Sequence, residues 1–378
     1  MSFTSLSSLR FVLIVMSLAF VFVDIYITLL GSFLQVHASL PEEEIEVSKI
    51  TTGQGACGVV VDSRDNMLYV TNHKANTLSV INGSTSSVVK DVDVPGIPCG
   101  LAIDYKTNVV YVISEGGDQI YSMDRGNNTI RGNFSVNRPY EMVVNSETGT
   151  LYVTSDANDR VYSIDLDTAK ILSTLLIPDP CGIAIDIQNN IVFVSSENSG
   201  SVHVIDGSAN QVRATIPVGE GPRGLAFNPE TNVLLVANTA SDSVSVIDNL
   251  GQRVVSTIGV DKAPRRIAVN PDTNIAYVIG QNTLNFLDLS SYSVIRSVPL
   301  QSSYEIALNT DENLVYVTNS NSDFVYVIEG YEREIPSPFP YADLIIAVLG
   351  IAAGAGIIVL VWRKKQGQKT RQGSATLA

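Results

Sequence analysis

The side chains of this sequence that could do chemistry fall on two adjacent positions that recur every 39 to 42 residues. The first position is occupied in turn by Cys57, Cys99, Tyr140, Cys181, Arg223, Arg265 and Tyr304. The second is occupied by Gly58, Gly100, Glu141, Gly182, Gly224, Arg266 and Glu305. All three cysteines of the chain share the first position. Thiols therefore lie on one part of the repeat series, and charged and phenolic groups on another.

Three interpretations of the cysteines are open. A free cysteine often serves as a small buried apolar side chain. A Cys57–Cys99 disulfide would suit an exported protein, but packed sheets lie ~10 Å apart, whereas a bridge needs Cα atoms within ~7 Å. A soft-metal site could use Cys57, Cys99 and Cys181 with His73 from a neighbouring loop. Because thiolates favour Cu(I) and Zn, copper or zinc is the possible cofactor of such a site.

The charged residues at these positions also allow more than one role. Arg265 and Arg266 could bind a carboxylate or phosphate with two parallel hydrogen bonds, or could donate to backbone carbonyls. Glu141 and Glu305 are a carboxylate pair of the kind used in general acid–base chemistry. The predicted ligand site comprises Tyr140, Glu141, Arg223, Arg265, Arg266, Tyr304 and Glu305.

The elements that position these residues form seven repeats. Each repeat has an apolar or aromatic anchor, at Tyr69, Tyr111, Tyr152, Phe193, Leu235, Tyr277 and Tyr316. Around each anchor, four short β-rich runs are separated by clusters of Asn, Asp, Gly, Pro and Ser, which are hairpin signals. Four antiparallel strands in a repeat of about 40 residues are typical of a propeller blade. The sequence predicts an all-β protein, with a seven-bladed β-propeller of four-stranded blades over residues 45–330.

The two ends of the repeat region predict how the ring closes. The last repeat stops after its third strand, at residues 324–328. The segment 47–55, which precedes the first repeat, aligns with 213–221, the fourth strand of an earlier repeat. We therefore expect the N-terminal strand to complete the last blade and to remove the open edge of the ring.

The anchors carry a recognisable motif. Residues 69–72 and 316–319 both read YVTN, residues 152–155 read YVTS, and residues 222–226 read PRGLA. The sequence thus resembles the YVTN-repeat β-propeller family, which is similar to archaeal surface-layer proteins and other exported propellers. Relatives with similar propellers include lactonases, a lyase of cyclic peptide antibiotics, and enzymes that carry copper or haem elsewhere in their chains. The resemblance implies a fold and selects no activity.

The N-terminal residues read as an export signal. An uncharged run at 11–23 follows Arg10, and Val36 and Ala38 supply the small residues of a cleavage site. Residues 1–38 are predicted to be a signal peptide or an uncleaved signal anchor. Asp24 favours cleavage, because a carboxylate is costly at the centre of a bilayer.

The C-terminal residues read as a membrane anchor. Pro336, Pro338 and Pro340 predict a stiff stalk over residues 331–341. The uncharged run to Trp362 predicts a transmembrane helix at 342–362, because about 20 apolar residues cross a bilayer. The basic tail at 363–378 would be cytoplasmic by the positive-inside rule. These features predict a single-pass protein of the cell membrane with the propeller outside the cell.

Other patterns limit the function. A net charge of -14 argues against nucleic-acid binding. Asn82, Asn127 and Asn133 begin glycosylation sequons. The sequence favours a ligand- or protein-binding, or cell-surface structural, module with protein or surface-layer partners. The alternative is an exported enzyme of lactonase or lyase type, with or without a metal ion, whose site lies at the outer mouth of the propeller's central channel.

One recurring residue type is expected to be structural. An Asp or Asn ends the first strand of every repeat, at Asp62, Asp104, Asn145, Asp186, Asn228, Asn270 and Asn309. Such side chains cap the turn that follows them, which predicts caps rather than calcium ligands.

Overall fold

The computed structural model describes residues 45–331. The predicted leader, transmembrane helix and tail lie outside these residues, as does the stalk apart from Tyr331. Within residues 45–331 no helix is long and apolar enough to cross a membrane.

The described chain consists of strands, grouped below into blades in chain order, and two short 3-10 helices, Glu115–Gly117 and Asp156–Asn158, between the second and third strands of blades two and three. A single strand, β1 (Val47–Thr51), precedes the first blade. Blade one contains β2 (Ala56–Asp62), β3 (Met67–Asn72), β4 (Thr77–Asn82) and β5 (Ser87–Asp93). Blade two contains β6 (Pro98–Asp104), β7 (Val109–Ser114), β8 (Gln119–Asp124) and β9 (Thr129–Ser135). Blade three contains β10 (Met142–Asn145), β11 (Thr150–Ser155), β12 (Arg160–Asp165) and β13 (Lys170–Leu176).

The remaining four blades continue the series. Blade four contains β14 (Pro180–Asp186), β15 (Ile191–Ser196), β16 (Ser201–Asp206) and β17 (Gln211–Pro217). Blade five contains β18 (Pro222–Asn228), β19 (Val233–Asn238), β20 (Ser243–Asp248) and β21 (Arg253–Gly259). Blade six contains β22 (Arg266–Asn270), β23 (Ile275–Ile279), β24 (Thr283–Asp288) and β25 (Ser293–Pro299). Blade seven contains β26 (Ser303–Asn309), β27 (Leu314–Asn319) and β28 (Phe324–Glu329).

The strand order confirms the seven-bladed, four-stranded propeller. Each of the first six blades is an antiparallel sheet whose strands follow chain order. The second strand of each blade is mostly apolar and buried, because both of its faces are covered by neighbouring blades; in β7 every residue is buried. The outer strands, such as β13, alternate between exposed and partly buried residues. The first strands of neighbouring blades contact one another around the central channel.

The ring closes as the sequence predicts. Blade seven has the order β1-β28-β27-β26, and β1 runs antiparallel to β28 from the Val47–Ile328 pair to the Thr51–Phe324 pair. The side chain of Ile50 is buried in a core cluster that spans blades seven and one. The N-terminal strand therefore supplies the fourth strand of the last blade.

We expect Ile50→Ala to lower the free energy of unfolding by about 2–5 kcal/mol, the usual cost of deleting a buried isoleucine side chain to the β-carbon. Ser48→Ala, an exposed change in the same strand, is the matched control and should leave stability within about 0.5 kcal/mol. Urea denaturation of the full chain measures both. Equal midpoints for the two variants would show that β1 does not dock in the core.

The Asp and Asn residues that end the first strands cap their turns, as predicted. In all seven blades the side-chain Oδ1 accepts a hydrogen bond from a backbone N–H two or three residues later. Four of them also donate to an asparagine of the next blade, including Asn309 to Asn66 at 2.9 Å across the point of closure. Asp62 instead forms a buried ion pair with Arg125 of blade two. The same residues therefore form turns and join blades.

Candidate functional site

The threonine of the YVTN tetrad sets the position of the channel-lining strands. In blade one, Thr71 Oγ1 accepts a hydrogen bond from the backbone N–H of Gly58 at 2.8 Å and donates to the carbonyl of Cys99 in blade two at 2.8 Å. The hydroxyls of Thr154, Ser195 and Thr318 make the equivalent pair of contacts in their blades. The motif thus joins each such blade to the next beside the two recurring positions.

The glycines at the second position allow the first strands to approach closely. A Cβ atom built on Gly58 would lie 2.0 Å from the backbone oxygen of Cys99, and one on Gly182 would lie 1.9 Å from that of Arg223. Neither position has room for a side chain without movement of the neighbouring backbone. Blades three, six and seven place Glu141, Arg266 and Glu305 there instead.

These three side chains meet in one cavity of about 190 Å³ at the channel. The lining residues that could contact a ligand through a polar or aromatic group are Glu115, Tyr140, Glu141, Arg266, Tyr304 and Glu305. Five of the seven residues predicted for the ligand site are therefore brought together. Arg223 and Arg265 do not line the cavity, and the Arg265 side chain is exposed.

Arg266 links two other blades through its guanidinium. Its Nη2 lies 2.9 Å from Glu141 Oε1, and its Nε donates to Glu305 Oε2 at 2.8 Å. The exposed fractions of the Arg266, Glu141 and Glu305 side chains are 11, 19 and 22%. The other carboxylate oxygens accept backbone N–H groups, from Ile183 for Glu141 and from Ile306 for Glu305. Two carboxylates therefore share one guanidinium in a largely buried position.

The surroundings shift the pKa values of the ionisable groups in the cavity. Burial raises the pKa of Glu141 to about 7; the Arg266 charge opposes this shift and repulsion from Glu305 adds to it. Burial opposes the charged form of Arg266, but the two carboxylates raise its pKa well above the usual value, so it stays protonated. Burial also raises the pKa of Tyr140, which is therefore a neutral phenol at physiological pH. Glu141 is the group here that can exchange a proton near neutrality.

Arg223 has a different partner. Its Nη2 lies 2.8 Å from Glu197 Oε1, in a pair whose two side chains are about one-third exposed. Glu197 directly follows the four residues of blade four that align with the YVTN tetrad, and His73 and Glu115 hold the same position in blades one and two. The sequence analysis missed Glu115 and Glu197. Their shared position after the tetrad, on the loop between second and third strands, is the signal that could have identified them.

The structure distinguishes between the three interpretations of the cysteines that the sequence left open. Cys57 and Cys99 form a disulfide, with Cα atoms 5.3 Å apart, although the spacing of packed sheets had argued against it. The blades are wedges, and their first strands converge at the channel, so the ~10 Å spacing of sheet faces does not apply there. Cys181 is buried and free. Burial raises the pKa of its thiol to about 11, which keeps it protonated and unreactive.

The disulfide also limits the metal hypothesis. Two of the three sulfurs are joined to each other, and His73 Nδ1 lies 2.7 Å from the backbone oxygen of Gly55. In the part of the chain that the structure describes, no three His, Cys, Asp or Glu side chains group as metal ligands would. Copper or zinc at the cysteines stays a prediction, and it requires the reduced protein.

We expect the unfolded, unreduced protein to react with one equivalent of a thiol reagent, at Cys181, and the reduced protein with three. Mass spectrometry of the alkylated full chain counts the adducts. As a control, a Cys181→Ser variant should give none before reduction and two after it. Three adducts without reduction would show that Cys57 and Cys99 are not bridged.

The sequon asparagines lie at the outer side of blades one and two. Asn127 and Asn133 are exposed, and Asn82 is half-buried at the end of β4. The side-chain oxygen of Asn127 accepts hydrogen bonds from both the backbone and the hydroxyl of Thr129. Attachment of a glycan at any of the three stays a prediction.

Comparison with solved structures shows the same fold. The chain is similar to a structure titled streptogramin B lyase, with a TM-score of 0.65 and 15% identity over 75% of this chain and 98% of that one. It is also similar to the hydrazine synthase of Kuenenia stuttgartiensis, with a TM-score of 0.65 and 16% identity over 77% and 98% of the two chains. At this identity the likeness concerns the fold alone.

No protein-family model and no curated protein matches the sequence. Membership of the YVTN-repeat family therefore stays a prediction from the motifs.

Proposed function

We propose that the chain is a propeller of the YVTN-repeat type, held outside the cell by its C-terminal membrane helix, that binds a ligand or protein partner. The run of uncharged residues before Arg363 and the basic tail support the membrane anchor. The net charge of -14 supports a ligand or protein partner rather than a nucleic acid. The ligand site is the cavity at the channel.

The observation that carries this proposal is where the repeat is broken. Glycine occupies the second recurring position in four blades, and the three blades that differ place Glu141, Arg266 and Glu305 into one cavity. Packing alone accounts for the glycines, because a Cβ atom on any of them would lie within 3.3 Å of a backbone oxygen of the neighbouring blade. Packing does not account for a guanidinium and two carboxylates, which are costly to bury. A few polar groups that converge in a concave site are typical of ligand binding.

Two experiments test the proposal. Protease treatment of intact cells should remove the propeller and leave a membrane-bound C-terminal fragment; a protected propeller would contradict the topology. Thermal unfolding of the full chain in detergent, against a panel of small metabolites, should identify compounds that stabilise it. A ligand at 100 times its Kd stabilises by about 2.7 kcal/mol. If Tyr304→Ala abolishes the stabilisation by a compound, that compound binds in the cavity. If no compound of the panel stabilises the protein in this way, the binding role is contradicted.

One observation favours a second candidate, an exported enzyme of lactonase or lyase type. Glu141 has a pKa of about 7 and is held against a guanidinium, as a general acid or base would be. One similar structure is titled as a lyase, which places an enzyme on the same fold. Turnover of a lactone or cyclic ester that Glu141→Gln abolishes, with binding retained, would support the enzyme over the binding module.

A further inference from the structure

We infer that the cavity at the channel takes a small organic cation, a primary ammonium group on a compact apolar body. This inference rests on the proposed binding function and names the class of its ligand.

The first argument is the charge balance of the cavity. Glu141 and Glu305 bring two negative charges to one guanidinium, and both carboxylates are about four-fifths buried. Glu115, which is exposed, is a third carboxylate of the lining, and Arg266 is the only cationic side chain among the lining residues in the described part of the chain. A buried net charge is unfavourable unless it is paired. The cavity is therefore short of a positive charge.

The second argument is that the arginines cannot receive an anion. The Nε and Nη2 atoms of Arg266 are held by Glu305 and Glu141, so the fork that would bind a carboxylate or phosphate is occupied. Arg223 lies outside the lining and pairs with Glu197 at 2.8 Å. The carboxylates of the lining, which outnumber its one arginine, would also repel an anion. The charges favour a cation.

The third argument is the hydrogen-bonding capacity that remains. Each oxygen of Glu141 and Glu305 has one protein partner, and a carboxylate oxygen can accept about two hydrogen bonds. An ammonium group has three N–H donors to offer. Tyr140 and Tyr304 line the same cavity, and aromatic rings attract cations and cover apolar groups. The volume of about 190 Å³ limits the ligand to a molecule smaller than a typical drug.

The cation and a proton should compete at this site. Near neutral pH, Glu141 takes up a proton because its charged form is buried beside Glu305. A bound ammonium group would instead stabilise the charged carboxylate, so Glu141 would release this proton when the cation binds. The other groups around Glu141 are Arg266, which stays charged, and the neutral Tyr140, Tyr304 and Cys181, with a smaller effect from Arg223. The exposed carboxylate of Glu115 lines the same cavity. Ammonium binding should therefore weaken as the pH falls below 7.

The test uses three probes with the same ring and different charge: benzylammonium, benzyl alcohol and benzoate. Each is titrated into the full chain in detergent by isothermal calorimetry at pH 8 and pH 6. We expect benzylammonium to bind at least tenfold more tightly than the other two at pH 8. Its affinity should fall about tenfold at pH 6, as linkage to one group with a pKa near 7 requires.

Variants separate charge from shape. Glu305→Gln should weaken benzylammonium at least tenfold, and Glu141→Gln should remove the pH dependence. The double variant Glu141→Gln, Glu305→Gln leaves Arg266 without a counter-charge and should bind benzoate in preference to benzylammonium. Glu230→Gln, an exposed turn residue, is the control and should bind as the parent does. Thermal unfolding of each variant shows that it is folded.

Benzoate or benzyl alcohol bound as tightly as benzylammonium would overturn the cation inference and leave the cavity as a ligand site. Binding of none of the three probes at millimolar concentration would also overturn it, whereas the metabolite panel decides the binding function itself. Benzylammonium binding that survives in the double variant would place the cation elsewhere on the protein.

Discussion

Arg266→Met should lower the free energy of unfolding by about 3–5 kcal/mol at pH 8, the usual cost of breaking a buried ion pair by removing one partner. The change leaves Glu141 and Glu305 facing each other without the guanidinium that now lies within 3 Å of both. Urea denaturation of the full chain in detergent, with the parent protein alongside, measures the loss.

The loss should shrink at lower pH. Arg266 opposes the rise that burial and the neighbouring Glu305 impose on the pKa of Glu141, so without Arg266 this pKa in the folded state lies further above its unfolded value of about 4.3. The folded state then binds more protons than the unfolded state between those pKa values, so stability falls as the pH rises through that window. The variant should therefore lie closest to the parent near pH 5 and furthest from it near pH 8.

Arg265→Met is the matched control, because it removes the same charge from an exposed neighbour. It should leave the midpoint within about 0.5 kcal/mol of the parent. The triple variant Arg266→Met, Glu141→Gln, Glu305→Gln should recover most of the loss, since no buried charge remains. A loss for Arg266→Met that is independent of pH would show that packing, and not the ion pair, holds this side chain in place.

Gly182→Ala should destabilise the protein by about 2–3 kcal/mol, in the range of overpacked cores. The new Cβ would lie 1.9 Å from the backbone oxygen of Arg223 in the next blade. Movement to relieve this contact would disturb the hydrogen bonds through which Ser195 joins Gly182 to Arg223. We expect a lower urea midpoint and a lower melting temperature.

Gly132→Ala serves as the comparison. Gly132 also lies in a strand, β9, but a Cβ there would meet nothing within 4 Å. The substitution should be neutral or stabilise by about 0.5 kcal/mol, because glycine in a strand interior costs backbone entropy. Equal effects of the two substitutions would contradict the close approach of blades four and five at the channel.

Much of the fold could be predicted from the sequence because the propeller is a local repeat. The middle strands are covered on both faces, so they read as apolar runs such as those around Tyr111 and Phe193, and Asp or Asn marks every turn after a first strand. The unpaired third strand of the last repeat and the spare strand at 47–51 determined the closure, since an open edge in a ring is unfavourable. The strand and turn signals act between residues that are near in the chain, and closure follows from counting strands although it pairs residues 47–51 with 324–328.

The sequence predicted most of the residues that form the candidate site but not how they pair. The sequence located Glu141, Arg266 and Glu305 on one repeat position, because a repeat aligns equivalent residues around the ring. It did not show that Arg266 joins both carboxylates, or that Cys57 and Cys99 are bridged. Those pairs depend on the distance between blades at the channel. That distance is set by the convergence of seven wedge-shaped sheets and by glycines such as Gly58 and Gly182, and only the closed tertiary structure determines it.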